Sequence, residues 1–266
     1  MAYFNETAGS ISTSFLWKHN QNFSLVTAWH VVSGRHFQSK KVLSKTGLLP
    51  NKLAVSVCVA LRHSGFHWVT WPVQIPLYFD DGRARYLVHP EKGDDFDIAV
   101  LPLGSNFVGE IITAASKVRD APRECFAVEC ASEITQEMLL MAADDVFIVG
   151  FPEGIQGGEY LPIWKRASIA SEPAVDPNKL PVMLVDTLGK EGLSGSPVYR
   201  RATSGVYFTE PGKSTVATGP VSNFVGLYSG RFGSEGAEAQ LGIVWKRACV
   251  EEAIARGQQG RSSFEI

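Results

Sequence analysis

Long hydrophobic runs are missing from this chain of 266 residues. No stretch approaches the roughly 20 apolar residues that a membrane-spanning helix needs. The segment from Met1 to Ser14 also lacks the basic start and the apolar run of a secretory signal peptide. We therefore expect no membrane partner and a cytoplasmic location.

An excess of charge of one sign is missing as well. The chain has 25 Lys and Arg against 27 Asp and Glu, which gives a formal net charge of -2 at pH 7. A nucleic-acid-binding domain usually carries a basic field, often with aromatic side chains among the basic clusters. Neither pattern occurs here, so no nucleic-acid partner is expected.

Cysteine is scarce, with four in the chain. They form no CxxC pair and lie in no His-rich cluster, so we expect no zinc or other metal site and no cofactor. In a reducing compartment they are expected to act as small apolar side chains rather than to form disulfides. The four are Cys58, Cys125, Cys130 and Cys249.

Strand-like runs are what the chain has in abundance. They are short, rich in Val, Ile, Phe and Trp, and bounded by Gly, Pro, Asn or Asp. Their spacing, without alternating long helices, predicts an all-β barrel or sandwich rather than a parallel α/β sheet. The runs are Ser10–Trp17, Phe23–Ala28, Lys52–Leu61, His67–Ile75, Ile98–Leu103, Asp145–Phe151, Leu161–Ala170, Val182–Thr187, Pro197–Arg200, Ser222–Ser229 and Ala239–Val244.

A few segments depart from the strand pattern. Gly104–Ala143 has the weakest strand signal and is interpreted as a connector, with one helical candidate at Ser132–Met141. Arg200–Ser222 is a long interval rich in Gly, Ser and Thr and is interpreted as a loop. Lys246–Arg256 has the period of an amphipathic helix. The polar residues 257–266 are expected to form a flexible tail.

A serine flanked by glycines is the first candidate for chemistry. Ser194 lies in Gly192–Pro197, which reads Gly-Leu-Ser-Gly-Ser-Pro. Gly192 can adopt backbone conformations closed to other residues, so its N–H can join that of Ser194 in a two-donor oxyanion hole. For such a motif alone, an ordinary turn before a strand is the simpler interpretation.

A histidine follows one of the apolar runs. His30 follows the apolar run Phe23–Ala28 and precedes Val31 and Val32, so we expect it where a strand ends inside the core. A general base needs such a fixed, half-buried position, although a satisfied core histidine is the simpler interpretation of the residue alone. Five other histidines have polar or turn-like neighbours and are interpreted as surface or loop residues: His19, His36, His63, His67 and His89.

An aspartate opens another apolar run. Asp97 precedes Ile98–Leu101, which would carry its carboxylate into the interior. A buried carboxylate needs partners, and the imidazole of His30 could be one of them. Asp95, in the same acidic stretch, remains an alternative for this role. A carboxylate that orients an imidazole, and an imidazole that takes the proton of a serine, together make the serine nucleophilic.

Three segments taken in order resemble the signature blocks of trypsin-like (chymotrypsin-fold) serine proteases. They are Thr27–His30, Asp97–Leu101 and Gly192–Pro197, and the resemblance extends over Gly9–Ala255. Three further segments are similar to strands of bacterial members of the family: Val146–Pro152, Trp164–Ile169 and Phe224–Gly230.

The resemblance implies two six-stranded antiparallel β-barrels and a C-terminal helix, with the catalytic groups in the cleft between the barrels. The first barrel, over residues 1–120, would carry His30 and Asp97. The second barrel and the helix, over 121–256, would carry Ser194. The implied activity is hydrolysis of peptide bonds through an acyl-enzyme.

The resemblance also implies a position for the substrate pocket. By analogy, the floor lies near Leu188, and Ser229, Gly230 and Arg231 form a wall. Because Leu188 is not acidic, a preference for Arg or Lys substrates is not expected. Arg231 could favour acidic substrates or simply face solvent.

One residue departs from the pattern of the secreted digestive members. These carry an aspartate immediately before the serine, and a newly cut N-terminus pairs with it on activation. Leu193 occupies that position here. Activation by N-terminal insertion is therefore not expected.

Three functions are compatible with these residues. The first is an active serine endopeptidase that acts on a protein or peptide substrate. The second is a binding module of the same fold that no longer cleaves, because fold alone does not determine function. The third is a protease held latent until a regulatory protein partner rearranges its cleft.

Overall fold

The computed structural model describes residues 1–5, 7–61, 67–118, 126–127, 137–158, 161–232 and 240–266. Its strands are β1 (Ala2–Phe4), β2 (Thr7–Ala8), β3 (Phe15–His19), β4 (Asn22–Thr27), β5 (Lys52–Leu61), β6 (His67–Pro76), β7 (Leu87–Val88), β8 (Ala99–Gly104), β9 (Phe126–Ala127), β10 (Asp145–Gly150), β11 (Ile163–Ile169), β12 (Val182–Asp186), β13 (Ser196–Ala202), β14 (Gly205–Glu210), β15 (Lys213–Ala217), β16 (Val221–Arg231), β17 (Leu241–Lys246) and β18 (Gln258–Gln259). The helices are α1 (Trp29–Ser33), α2 (Phe107–Val118) and α3 (Arg247–Arg256), with 3-10 turns at Pro152–Gly154 and Pro177–Lys179.

The second half of the chain forms a closed antiparallel barrel of six strands in the order β10-β11-β12-β17-β16-β13. Strands β10, β11 and β12 each contribute two apolar side chains, at every second position, to one buried cluster, as the two-residue period of a strand requires. Closure gives each of these strands a neighbour on both sides over at least part of its length. The all-β fold class, with a closed six-stranded barrel and a C-terminal helix, is thus confirmed.

Apart from the barrel and the hairpin of β14 and β15, the described strands form two antiparallel sheets, which join the strands of the first half to β9 and the C-terminal β18. One has the order β2-β1-β5-β6 with β9 added to β5, and the other has the order β18-β7-β8-β4-β3. The long pair β5 and β6 is in register from Lys52 opposite Pro76 to Leu61 opposite His67. The predicted boundary between the halves, at residues 120 and 121, lies outside the described residues.

Aromatic side chains join the two halves into one core. Trp245 of β17 packs on Phe96, with ring centroids 4.8 Å apart, and on Phe37 at 5.8 Å. Phe224 of β16 packs on Trp17 of β3 at 5.1 Å. Because each of these rings is buried, the halves cannot separate without exposing a large apolar area.

The predicted connector and loop contain regular structure that their composition conceals. Helix α2 lies in the first of these segments and buries Ile111 and Ala115, which are one helical turn apart. The helical candidate Ser132–Met141 lies partly outside the described residues, and its described part, 137–141, is not helical. The segment predicted as a loop forms the hairpin of β14 and β15, which packs on Met138 through Tyr207.

The C-terminal residues are packed rather than frayed, contrary to the flexible tail expected from their polar sequence. Strand β18 pairs with β7, and the Gly260 N–H donates to the Tyr86 carbonyl at 2.9 Å. The Tyr86 hydroxyl donates to the Arg261 carbonyl at 2.7 Å, and Ser263 is fully buried. Polar residues can pack here because their hydrogen bonds are satisfied by the first half.

None of the helices in the described part of the chain is both long and apolar enough to cross a membrane. Cys249 is a free thiol and is buried, whereas Cys58 is partly buried in β5. Cys125 and Cys130 lie outside the described residues.

Gly260→Ala tests the packing of the tail. A Cβ at Gly260 would collide with the ring of Tyr86, whereas a Cβ at Gly219 would meet open space. Overpacking costs about 1–3 kcal/mol, so we expect Gly260→Ala to lower the free energy of unfolding by that amount and Gly219→Ala to leave it nearly unchanged. Urea unfolding measures both. Equal stability of the two variants would mean that the tail is frayed.

Candidate active site

The register of two strands brings His30 and Asp97 to the same end of one sheet. In the antiparallel pair of β4 and β8, Thr27 lies opposite Ala99. The residues that follow Thr27 and those that precede Ala99 therefore emerge side by side. His30 lies in the first turn of α1, just beyond the strand end expected from the sequence.

The carboxylate of Asp97 makes two hydrogen bonds to one residue. Its Oδ2 lies 2.7 Å from Nδ1 of His30, and its Oδ1 accepts from the His30 N–H at 2.8 Å. The Asp97 side chain is 1% exposed, whereas Asp95, the alternative, is 76% exposed and lies 3.8 Å from Lys40. Asp97 is thus the carboxylate that holds the imidazole.

Two opposing effects act on the imidazole. Burial by itself would lower the pKa of His30, but the charge of Asp97 and its hydrogen bond outweigh burial and raise the pKa above the usual value of 6.5. With Nδ1 bonded to a carboxylate, the neutral ring carries its proton on Nδ1. Nε2 is then free to accept a proton, and within the described part of the chain it makes no hydrogen bond.

Thr13 attaches the segment around Ser194 to the first half. Its hydroxyl donates to the Gly192 carbonyl at 2.6 Å and accepts from the Phe151 N–H at 3.1 Å. Its N–H donates to the Ser194 carbonyl at 2.9 Å, and its own carbonyl accepts from the Thr27 hydroxyl at 2.8 Å. Thr13 is 3% exposed, so these bonds form away from water.

Gly195 allows this segment to approach the histidine. Its φ is +86°, and a Cβ there would collide with the Thr13 carbonyl and the Thr27 hydroxyl and would lie 3.2 Å from the Ala28 nitrogen. Only glycine fits such a conformation and such close contact. Ser194 is therefore held against the strand end that leads into His30.

Two N–H groups beside the Ser194 hydroxyl have no acceptor within the described part of the chain. The Glu191 carbonyl accepts from the Glu153 N–H at 2.6 Å, and the Leu193 carbonyl accepts from the Ser196 N–H at 3.0 Å. In a trans peptide the N–H points opposite to the carbonyl. The N–H groups of Gly192 and Ser194 are therefore oriented away from these internal partners and can receive an oxyanion.

The Ser194 hydroxyl donates to the Ser229 carbonyl at 3.2 Å. In the described residues no hydrogen bond joins it to His30. The Ser229 hydroxyl accepts from the Trp245 indole at 3.2 Å, which holds this part of β16 in place. Rotation about the Cα–Cβ bond of Ser194 would be needed to direct its hydroxyl toward the imidazole.

The residues expected to line the pocket take different positions. Leu188, expected at the floor, is 46% exposed at the surface instead of buried beneath the site. Ser229 is buried next to Ser194, and Gly230 follows it. The exposed Arg231 does not simply face solvent, because its guanidinium donates to the Gly189 carbonyl at 2.8 and 3.2 Å.

Leu193 is completely buried, within the apolar cluster of the barrel. A carboxylate at this position would need a partner that the cluster does not supply. In place of a charged partner for residue 193, the hydrogen bonds of Thr13 hold the carbonyls of Gly192 and Ser194 on either side of it.

One of the five histidines assigned to the surface is buried. His89 is 4% exposed, and its Nε2 lies 3.0 Å from Oε2 of Glu252 on α3. Its Nδ1 accepts from the N–H groups of Glu91 and Lys92 at 3.3 Å. It is a satisfied structural histidine. His19 and His36 are exposed, and the side chains of His63 and His67 lie outside the described residues.

Two residues of the site gave no local signal in the sequence. Thr13 is one polar residue within a strand-like run, and its partners at Gly192 and Ser194 lie in the other half of the chain. Tyr228 of β16 shares the apolar cluster of the barrel with Val225, three positions earlier, because a register shift interrupts the alternation of this strand. Nothing in its neighbours tells which backbone its ring will meet. No group of three potential metal ligands occurs among the described residues.

Comparison with known proteins finds no matching family model and no matching curated protein. Among solved structures, the chain is similar to the active form of the Rv3671c protease from M. tuberculosis, with 13% identity, a TM-score of 0.41 and coverage of 98% of this chain and 81% of that chain. It is also similar to an inactive serine-to-alanine mutant of Rv3671c from M. tuberculosis H37Rv, with 13% identity, a TM-score of 0.35 and coverage of 92% and 80%. The function of this chain has to be argued from its own residues.

Thr13→Val tests the attachment of the segment around Ser194. Valine keeps the shape of the side chain but leaves the buried Gly192 carbonyl and Phe151 N–H without a partner. Each such group costs about 1–3 kcal/mol, so we expect at least that loss in the free energy of unfolding. Thr13→Ser retains the hydroxyl, so its free energy of unfolding should fall much less. Urea unfolding compares them, and equal stability of Thr13→Val and wild type would contradict the assignment.

Proposed function

We propose that this chain is a serine endopeptidase of the trypsin-like type, which hydrolyses peptide bonds through Ser194, His30 and Asp97. The observation that carries the proposal is the two-point hydrogen bonding of His30 by the buried Asp97. It is joined by Ser194, whose segment packs on the strand end that leads into His30. Among the described residues, the N–H groups of Gly192 and Ser194 have no acceptor. These are the base, the orienting group, the nucleophile and the oxyanion donors of acyl transfer.

In the proposed reaction, Ser194 Oγ attacks the carbonyl carbon of the substrate while Nε2 of His30 takes the hydroxyl proton. The oxygen of the tetrahedral intermediate becomes negative and accepts from the N–H groups of Gly192 and Ser194. His30 then gives the proton to the departing amine, and the C–N bond breaks to leave an acyl-enzyme. Water, deprotonated by His30, releases the acid and restores the serine.

The edge of β16 supports a polypeptide as the substrate. In the described residues, β16 pairs with β13 only as far as Tyr228, which lies opposite Ser196. Ser229, Gly230 and Arg231 continue beyond that point beside Ser194. An extended peptide can add to such an edge through backbone hydrogen bonds.

The bond from Ser194 to the Ser229 carbonyl supports a second candidate, a form that is latent until a partner acts. In this arrangement the serine proton is held by a carbonyl that cannot serve as a base. A regulatory protein or the substrate itself could favour the rotation toward His30. Insertion of a new N-terminus beside Leu193 has no role in this proposal, because that side chain is apolar and buried.

Labelling with a fluorophosphonate probe tests the nucleophile. We expect stoichiometric labelling of the wild-type protein and none of Ser194→Ala, since the probe reacts with an activated serine. Ser196→Ala serves as the control, because Ser196 is a buried serine two positions away. Equal labelling of wild type and Ser194→Ala would sink the proposal, and failure to label either would favour the silent or latent form.

The pH dependence of labelling tests the base. Because the pKa of His30 is raised, the labelling rate should fall as the pH drops through a midpoint above about 6.5. Because the pKa of His30 is higher in the folded state, protonation of His30 stabilises the fold below about pH 6.5. This contribution is lost as the pH rises through the folded-state pKa.

Asp97→Asn removes the charge that raises the pKa of His30 and leaves the opposing effect of burial. We expect the midpoint pH of labelling to move down. The labelling rate should fall by a factor on the order of 10⁴, as when the carboxylate of a Ser-His-Asp triad is replaced by an amide. Asp95→Asn, at an exposed aspartate, should change neither. An unchanged midpoint in Asp97→Asn would contradict the pairing.

A further inference from the structure

The geometry of acyl transfer defines where a substrate's side chain must go. The attacked carbon is bonded to Ser194 Oγ, its oxygen points toward the N–H groups of Gly192 and Ser194, and the leaving amine points toward His30. The remaining bond leads to the residue before the cleaved bond. This bond must point toward the fourth side of the site. Ser229 and its neighbours in β16 form that side, since the Ser194 hydroxyl reaches the Ser229 carbonyl there.

The ring of Tyr228 fills this side of the site. A Cβ at Gly242 would lie 2.5 Å from the ring carbon Cε2 of Tyr228, and a Cβ at Gly189 would lie 2.5 Å from its hydroxyl oxygen. The ring is therefore packed directly on the backbone of both glycines. Tyr228 is 1% exposed, and its carbonyl accepts from the Gly195 N–H at 2.8 Å, next to the nucleophile.

The hydroxyl of Tyr228 is buried without a hydrogen-bond partner. Burial raises the pKa of Tyr228 to about 12, so the group is neutral at physiological pH. A buried hydroxyl without a partner is costly, and phenylalanine would avoid that cost. The ring accordingly fills space here, and the hydroxyl adds no stabilising bond.

Arg231 closes the same space from outside. Its Nε and Nη2 both donate to the Gly189 carbonyl, and its Cγ would lie 3.1 Å from a Cβ at Gly189. The guanidinium thus spans from β16 to the segment that precedes the nucleophile. A long substrate side chain would have to displace both the Arg231 side chain and the Tyr228 ring beneath it.

We propose that Tyr228 is a specificity-determining residue, which restricts cleavage to bonds that follow glycine, alanine or serine. This inference rests on the proposed function, because it assigns a substrate class to the same site. A pocket filled by an aromatic ring leaves room for a methyl or hydroxymethyl group and excludes aromatic, branched and long basic side chains.

Peptidyl phosphonates that differ only in the residue bonded to phosphorus test the inference without requiring turnover. We expect the alanine probe to label wild-type protein at least about 100-fold faster than the phenylalanine or lysine probes, which is the scale of discrimination by fit in an apolar pocket. Tyr228→Ala should reduce this ratio to about 10 or less by opening the space. Tyr228→Phe is the matched control and should keep the same order of preference.

The outcomes separate the inference from the proposed function. Labelling by the phenylalanine or lysine probe as fast as by the alanine probe would overturn the role of Tyr228 and leave the nucleophile assignment intact. Should Tyr228→Ala fail to fold, the ratios for wild type and Tyr228→Phe still decide the question. Labelling by a simple fluorophosphonate but by none of the peptidyl probes would also overturn the inference. No labelling by any probe would overturn the proposed function and the inference together.

Discussion

The buried hydroxyl of Thr13 is the contact on which the arrangement of the site depends. It joins the Gly192 carbonyl to the Phe151 N–H, while the backbone of Thr13 holds the Ser194 carbonyl and the Thr27 hydroxyl. Without this residue, several buried polar groups of both halves would lose their partners at once. The position of Ser194 relative to the strand that leads to His30 is thus set by bonds that water cannot easily replace.

The aromatic core between the halves supports these hydrogen bonds. Phe96, immediately before Asp97, packs on Trp245, and Trp245 in turn donates to the Ser229 hydroxyl. The groups that we assign to proton transfer and those that contact the nucleophile are therefore attached to the same packed rings. A site assembled in this way is rigid because side chains in a dense interior have few alternative positions.

The same packing limits what the site can accept. The ring of Tyr228 packs on Gly189 and Gly242, the guanidinium of Arg231 is bonded to the Gly189 carbonyl, and the Ser194 hydroxyl is bonded to a backbone carbonyl. For the endopeptidase that we propose, a narrow site and a nucleophile turned away from its base would favour selectivity over speed. The buried apolar side chain of Leu193 is consistent with our proposal, because it offers no charged acceptor to a newly cut N-terminus.

The sequence by itself determined the all-β class, most strand positions, the C-terminal helix and the candidates His30, Asp97 and Ser194, because two-residue periodicity, turn residues and short motifs are properties of near neighbours. It left Asp97 and Asp95 as alternatives, and only burial in the folded chain distinguished them. The tertiary structure alone decided that the polar tail would pack, that Thr13 would hold Gly192 and that the ring of Tyr228 would pack on Gly189 and Gly242. The physical reason is distance along the chain: Thr13 and Gly192 are 179 residues apart, and no local pattern encodes which buried groups will meet across such a separation.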